Sequence, residues 1–300
     1  MIRRALAELR RMALGELRPN SPEPASADAG PDDDEARLAA IGATAVTVAL
    51  CRAAEREREQ PWFNDPLAQY VAKTAEPARE TIPRPGLVFW VGVRTRFLDE
   101  LVLSAIQDEV RQVVLLGAGL DARAIRLDVP DDVTCYEIDR SSVHELKTRL
   151  LKQAKLTARC ERRVVVADLA SSGWLDALRA QGWTSDQPTC WIAEGLLVYL
   201  KPEARDALLR QLAAASAPGS RLGVTATSST RAAEVGVWAS GIDADAADWL
   251  ESLGWTAKVS TLPETAAAFG RPMRVETQRA RSAILVDARP IQRATEGSAE

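Results

Sequence analysis

The chain has 300 residues, a net charge of −4 and a hydrophobic fraction of 46%. This composition supports a large globular core, and the acidic balance argues against nucleic acid as a partner, because phosphate binding requires a basic surface. The four cysteines are widely spaced and the single histidine, His144, has no ligand-like neighbours, so no metal site is expected. Neither a membrane-spanning apolar run nor a secretory signal is recognisable. We therefore expect a cytoplasmic protein without stable membrane association.

The N-terminal third of the chain carries no strand-like alternation. Residues 1–34 include a segment rich in Pro, Ser, Ala and Asp and are predicted to form a flexible arm. Residues 35–110 are predicted to be helical, starting with a helix from about Glu35 to Glu59 and breaking at Pro83–Gly86. Because this region precedes the first predicted strand, we interpret it as a helical cap.

Strand-like and helix-like segments alternate from residue 111 to about residue 290. This alternation predicts an α/β fold, with a mostly parallel sheet, helices on both faces and the first strand in a central position. A lid insertion is expected near 228–250, and 291–300 are expected to form a flexible tail. Helices separate most strands, for example Ser142–Ala154, Gly173–Ala180 and Glu203–Ala215. The candidate strands are Val113–Leu116, Val133–Ile138, Arg163–Val166, Thr189–Ala193, Arg221–Ala226, Ala257–Thr261 and Ser282–Asp287.

The loop after the first predicted strand contains Gly117 and Gly119, and the next strand ends at Asp139, twenty residues beyond the second glycine. This layout is typical of a nucleotide-binding strand–loop–helix–strand unit. Ala122 stands where a dinucleotide site has its third glycine, which weakens the case for a pyrophosphate ligand. S-adenosylmethionine has no phosphate and needs only a close backbone approach, which the two glycines can supply. We therefore favour this cofactor; a simple tight turn is the alternative.

Acidic residues follow three successive strands, and the carboxyl ends of parallel strands meet at one edge of a sheet. Asp139 is well placed to accept hydrogen bonds from ribose hydroxyls. Asp168 can accept the exocyclic amine of adenine, and Leu169 can cover a face of the ring. Both acids would alternatively serve as helix caps. Glu194 lies where group-transfer chemistry would occur and Tyr199 can orient a substrate oxygen, while a solvated loop acid and a core tyrosine are the alternatives.

Several motifs occur in order between about residues 40 and 290. They are Gly117–Arg123, Tyr136–Asp139, Ala167–Leu169 and Ala193–Tyr199, together with Ala54–Glu55, Phe63–Leu67 and Val93–Asp99 in the N-terminal region. These motifs resemble the leucine carboxyl methyltransferase family, a branch of the S-adenosylmethionine-dependent methyltransferases, and the N-terminal ones resemble its bacterial subgroup of natural-product O-methyltransferases. The resemblance implies a class I methyltransferase fold, which is a Rossmann-like seven-stranded sheet with an antiparallel last strand.

The same resemblance implies roles in cofactor binding. These are Arg94 for the methionine carboxylate, Gly117 beside the cofactor backbone, Asp139 for the ribose, Asp168 and Leu169 for the adenine, and Glu194 near the methionine amine. A threonine often stands in the family loop where this chain has Ala122, so a hydroxyl is missing here but no charge is lost.

A sulfonium methyl group needs only an oxygen nucleophile aligned behind it. A carboxylate is already ionised at neutral pH, whereas a phenol, with a pKa near 10, benefits from a general base. His144 is expected to lie far from the methyl group. We therefore predict O-methylation of a carboxylate on a small-molecule, carrier-borne or peptide-borne substrate in natural-product biosynthesis. Glu194 and Tyr199 are the candidate catalytic residues, and Arg94 and Arg96 the candidates for holding the substrate carboxylate.

Three alternative functions stay open: a phenol or hydroxyl O-methyltransferase, a nicotinamide-dependent oxidoreductase and a non-catalytic cofactor-binding protein. The helical region and the predicted lid are expected to close over the site and exclude water. Aromatic residues of these regions are candidate linings for an apolar acceptor, with core packing as the alternative for each. They are Trp62, Phe63, Trp90, Trp238 and Trp249.

Overall fold

A computed structural model describes residues 44–74, 83–229, 232, 238–242, 245–273 and 278–292. Seven strands form one sheet in the order β3-β2-β1-β4-β5-β7-β6. Neighbouring strands from β3 to β5 are parallel, and β7 is antiparallel to both β5 and β6. The strands are β1 (Gln112–Leu116), β2 (Thr134–Asp139), β3 (Glu161–Val166), β4 (Thr189–Ala193), β5 (Arg221–Thr227), β6 (Trp255–Thr261) and β7 (Ala283–Pro290).

The predicted sheet is confirmed, including its central first strand and its antiparallel last strand. β4 begins and ends where the sequence predicts, and the other strand limits differ from the prediction by three residues or fewer. β1 and β4 are buried at every residue. Central parallel strands are covered by helices on both faces, which is why these segments read as continuous apolar runs.

Several helices begin where the sequence supplies a proline or a capping side chain. Pro85 and Pro202 occupy the start of α3 and α7, where a missing backbone N–H costs nothing. Thr261 and Glu264 form a capping box at the start of α9. The helices are α1 (44–55), α2 (Pro66–Thr74), α3 (Pro85–Gln107), α4 (Arg123–Arg126), α5 (Ser141–Ala154), α6 (Trp174–Ala180), α7 (Pro202–Ala214), α8 (Ala246–Ser252), α9 (Leu262–Ala268) and α10 (Gln278–Arg281).

Helix α3 packs directly on one face of the sheet. Leu98 and Leu101 share a buried apolar cluster with Leu115 and Ile192 of the central strands. A Cβ on Gly223 of β5 would lie 2.7 Å from Leu98 Cδ2, so the glycine makes room for the helix. The division between cap and core at residue 110 stays a prediction, but α3 forms part of the layer that a parallel sheet requires on this face.

Some predicted segments lie outside the described residues. They are the arm (1–34), residues 35–43 and 75–82 of the predicted helical region, residues 230–231, 233–237 and 243–244 of the expected lid, and residues 293–300 of the expected tail. Among the described helices, none combines the length and the apolar character needed to cross a bilayer.

Candidate active site

A cavity of about 1290 Å³ opens where β1, β2, β3 and β4 end. A drug-sized ligand typically occupies a pocket of about 300–1,000 Å³, so this cavity has room for a cofactor and an acceptor together. The eight residues predicted to bind the cofactor or to take part in catalysis all line it. These residues are Arg94, Gly117, Gly119, Asp139, Asp168, Leu169, Glu194 and Tyr199.

Two parts of the cavity differ in character. We call the part lined by residues 117–121, 139–140 and 167–170 the loop side. The far side is lined by residues at the start of α3 between Arg84 and Trp90, by residues 198–201 and Ala204, and by apolar residues around the ends of β5 and β7. The loop side carries the glycines and acids of the predicted site, and the far side is mostly apolar.

The glycine loop forms the floor of the loop side. Gly117 and Gly119 have φ values of 64° and 47°, in the left-handed region that glycine tolerates. A Cβ on Gly117 would lie 3.0 Å from Leu196 Cδ1, so any larger residue would intrude there. Gly119 N donates to Asp139 Oδ2 at 2.7 Å, and Arg140 N donates to Asp139 Oδ1 at 2.8 Å. These bonds fix the carboxylate, and each oxygen keeps a further lone pair for a ligand.

Asp168 and Leu169 lie at the edge of the loop side. Asp168 Oδ1 accepts from Ala170 N at 2.9 Å, and Oδ2 accepts from Arg140 Nη2 at 3.1 Å. Leu169 is buried and belongs to the core cluster beneath the cavity. The helix-cap alternative is wrong for both predicted acids, because the N-cap positions of α5 and α6 are occupied by Arg140 and Gly173.

The carboxylate of Glu194 is held by three arginines from separate helices. Oε1 accepts from Arg52 Nη2 at 2.8 Å and from Arg94 Nε at 2.9 Å, while Oε2 accepts from Arg123 Nη1 at 2.7 Å. The side chain is only 5% exposed, so the solvated-acid alternative is wrong. Burial raises the pKa of Glu194, but the three guanidinium groups outweigh it and hold the pKa well below its usual range.

The ion network continues beneath the loop side. Arg123 also pairs with Asp121 and, through Nε, with Asp99 Oδ1 at 2.9 Å. Asp99 Oδ2 in turn accepts from Arg126 Nη1 at 2.6 Å. Since each buried charge requires a partner, these pairs fix α4 and α3 relative to the glycine loop.

Five residues of this network have no role in the sequence-based prediction: Arg52, Asp99, Asp121, Arg123 and Arg126. One available signal was the position of charged residues inside otherwise apolar segments, as at residues 122–125 and 192–196. Such residues are buried and hence paired, because charged side chains are almost never fully buried alone.

Within the part of the chain that the structure describes, Arg94 uses one of its three guanidinium nitrogens in hydrogen bonding. Its Nε binds Glu194, while Nη1 and Nη2 lie over the backbone of Gly195. A Cβ on Gly195 would lie 3.2 Å from Arg94 Nη1, so the glycine allows this close approach. Burial lowers the pKa of Arg94 while Glu194 opposes the shift, and a guanidinium stays protonated in either case.

Two other titratable candidates lie away from the cavity lining. Arg96 stacks on Trp62 and Phe269, with its Cζ 5.2 and 4.4 Å from the ring centroids, and pairs with Glu100. Its candidacy for a substrate carboxylate is therefore wrong. His144 is buried in α5, with Nε2 3.1 Å from the carbonyl oxygen of Val165, and is not among the described residues that line the cavity.

Of the predicted aromatic linings, Trp90 and Trp238 border the cavity. The other three do not. Trp62 packs edge-on against Phe269 at 5.8 Å, Phe63 lies beneath the guanidinium of Arg126, and Trp249 lines a separate cavity of about 450 Å³. The predicted role in lining the acceptor site is therefore wrong for these three.

The strand order, the antiparallel seventh strand and the cavity at the carboxyl ends of the central strands define a class I methyltransferase fold. A crystal structure of a protein provisionally described as a methyltransferase from Thermobifida fusca has the same fold, with a TM-score of 0.54 at 19% identity. The match covers 82% of this chain and 94% of that chain.

The sequence matches the leucine carboxyl methyltransferase family over residues 45–213. A provisionally named S-adenosyl-L-methionine-dependent methyltransferase from Frankia alni is 40% identical over 260 residues, covering 80% of this chain and 91% of the relative. Another from Streptomyces avermitilis is 40% identical over 269 residues, covering 82% and 95%. The chain belongs to the leucine carboxyl methyltransferase family. It is an S-adenosylmethionine-dependent methyltransferase, which removes the oxidoreductase and non-catalytic alternatives.

Proposed function

We propose that the enzyme methylates the carboxylate oxygen of a small-molecule, carrier-borne or peptide-borne acceptor. The observation that carries this proposal is that Glu194 and His144, the two side chains best suited to accept a proton, are both engaged by other groups. Glu194 is bound by three arginines and its lowered pKa makes it a weak base. His144 is committed to the carbonyl of Val165, outside the cavity lining. A carboxylate acceptor is already ionised at neutral pH and needs neither group.

The distribution of charged side chains on the far side also supports a carboxylate acceptor. Among the described residues that line it, cations and apolar side chains occur, but no acid. An ammonium acceptor would find no counter-charge there, whereas an anion would find Arg84 and Lys201. This distribution favours an anionic oxygen over an amine as the methyl acceptor.

The loop side fits S-adenosylmethionine. Gly117 lets the backbone approach the ligand, and Asp139 keeps lone pairs for the ribose hydroxyls. Asp168 and Leu169 suit the amine and the ring of adenine, and the free nitrogens of Arg94 suit the methionine carboxylate. When bound, the cofactor supplies a methyl group made electrophilic by the sulfonium charge.

We assign Glu194 a positioning role in place of proton transfer. It holds Arg52 and Arg94 on the same oxygen, so the two guanidinium groups face one region of the cavity. Fixed donors need no reorganisation when an anionic ligand group arrives. Tyr199 borders the far side, near enough to Arg94 to affect that pKa, and is assigned to orient the acceptor oxygen by hydrogen bonding.

The natural-product role stays part of this proposal. It is supported by the resemblance to the bacterial O-methyltransferase subgroup and by the size of the cavity. Apolar side chains such as Leu87, Phe89 and Trp90 line the far side and suit an acid with an apolar body.

A matched pair of acceptors tests the proposal. Naphthoic acid and naphthol present the same ring system with a carboxylate or a hydroxyl. We expect methyl transfer to naphthoic acid at a kcat/KM that is flat from about pH 6 to about pH 9, because the carboxylate is ionised throughout. Transfer to naphthol should be slower and rise with pH. Turnover of naphthol alone would overturn the carboxylate assignment.

A further inference from the structure

Two cations on the far side of the cavity are without partners among the described residues. The side chains of Arg84 and Lys201 are exposed, line the cavity and form neither a hydrogen bond nor an ion pair within that part of the chain. The other cations that line the cavity, Arg52, Arg94 and Arg140, are each bound to a carboxylate. Arg84 and Lys201 are therefore available to a ligand.

Helix geometry separates Arg84 from the end of the cavity where the methionine portion of the cofactor is proposed to lie. Arg84 is the N-cap of α3 and Arg94 lies ten residues further along the same helix. At a rise of about 1.5 Å per residue, the two backbones are about 15 Å apart along the helix axis. An acceptor that reaches both ends of the far side must therefore be elongated.

The wall between these ends is apolar. Leu87 and Trp90 follow Arg84 at helical spacing and line the cavity, as do Val198 and Leu200 from the segment before α7. Leu87 is 38% exposed, so its apolar surface is open to a ligand. Apolar surface flanked by a charge at the rim suits a ligand with an apolar body and a charged end.

We propose that the acceptor is an elongated anion with two charged ends. One end is the carboxylate that is methylated, and the other is a carboxylate or phosphate bound by Arg84, with Lys201 as the second cation of the far side that is unpaired within the described ranges. The assignment rests on the proposed carboxylate methylation. In the reaction a carboxylate oxygen forms a bond to the methyl carbon, the carbon–sulfur bond breaks and its electron pair stays on sulfur, so no proton moves. The product is a half-ester that keeps its distal charge.

Three acids of equal length test this assignment: dodecanoic acid, dodecanedioic acid and the corresponding phosphono acid. We expect kcat/KM of the wild-type enzyme to be at least about fivefold higher for a doubly charged acid, which corresponds to an ion pair of about 1 kcal/mol. Arg84→Glu and Lys201→Glu should abolish this preference. Calorimetry with S-adenosylhomocysteine present should show the same loss in acceptor affinity. The better of the two doubly charged acids identifies the distal anion as carboxylate or phosphate.

Arg149→Glu and Lys152→Glu are matched controls on exposed positions of α5, outside the cavity lining. They change the net charge equally and should keep the preference. Equal kcat/KM for dodecanoic and dodecanedioic acid in the wild-type enzyme would overturn the two-ended acceptor, while turnover of dodecanoic acid would still support carboxylate methylation. A preference that survives Arg84→Glu and Lys201→Glu would equally overturn it. If naphthol is methylated and no acid is, the proposed function itself fails.

Discussion

Replacing Glu194 with glutamine would remove the charge on which three helices converge. The amide keeps the size of the side chain and one oxygen acceptor. Arg123 retains Asp99 and Asp121, but Arg52 and Arg94 lose their direct carboxylate partner. Loss of one partner from a buried ion pair costs about 3–5 kcal/mol. Because one arginine remains paired, we expect a loss at the lower end, about 3 kcal/mol.

A loss of this size should lower Tm by about 6–12 °C for a folded domain of this length. Differential scanning calorimetry would measure it, with Glu203→Gln on the exposed start of α7 as the matched control. The pKa of Glu194 is lowered in the folded state, so its stabilisation is present above the ordinary value of 4.5 and is lost as pH falls through the lowered pKa. The difference between Glu194→Gln and the wild-type enzyme should therefore shrink in acid. A Tm equal to that of Glu203→Gln at neutral pH would refute this reasoning.

Further substitutions address the backbone, the cofactor site and the buried charges. Gly195→Ala puts a Cβ 3.2 Å from a guanidinium nitrogen of Arg94 at a φ of 65°, so it should cost about 1–2 kcal/mol of stability and weaken cofactor binding. Gly173→Ala, which places its Cβ in open space, should do neither. Calorimetry that finds the two variants equally stable would contradict this. Asp139→Asn should weaken S-adenosylmethionine binding about tenfold, while exposed Asp131→Asn should leave the calorimetric Kd unchanged. Burial raises the pKa of Glu137, but Lys147 and Arg162 outweigh burial and lower this pKa. Glu137→Gln should therefore reduce the urea midpoint at neutral pH, and the midpoint of the variant should approach the wild-type value below pH 4.5. Urea midpoints that differ by the same amount at every pH would count against this.

The sheet and the location of the site could be predicted from local sequence signals. Continuous apolar runs such as Thr189–Ala193 mark strands that are covered on both faces. Acids directly after parallel strands must come together at one sheet edge, and Asp139, Asp168 and Glu194 do line one cavity. Their individual ligands stay predictions.

The arginine network could not be predicted in the same way. The partners of Glu194 lie 142, 100 and 71 residues away in the sequence, and no periodicity links such distant positions. Three-dimensional packing alone decides that Arg52, Arg94 and Arg123 share one carboxylate. The wrong prediction for Arg96 has the same cause. Arg96 belongs to the same helix as Arg94, but it stacks on Trp62 outside the cavity, and the sequence does not show this difference.

The most direct test of methyl-ester formation is the chemical stability of the transferred methyl group. The enzyme would be given S-adenosylmethionine with a labelled methyl group and an equal mixture of naphthoic acid and naphthol, and the products would be treated with mild alkali. Carboxylate methylation predicts that the label is released as volatile methanol, because esters hydrolyse under these conditions. Label that stays in an alkali-stable ether would contradict it.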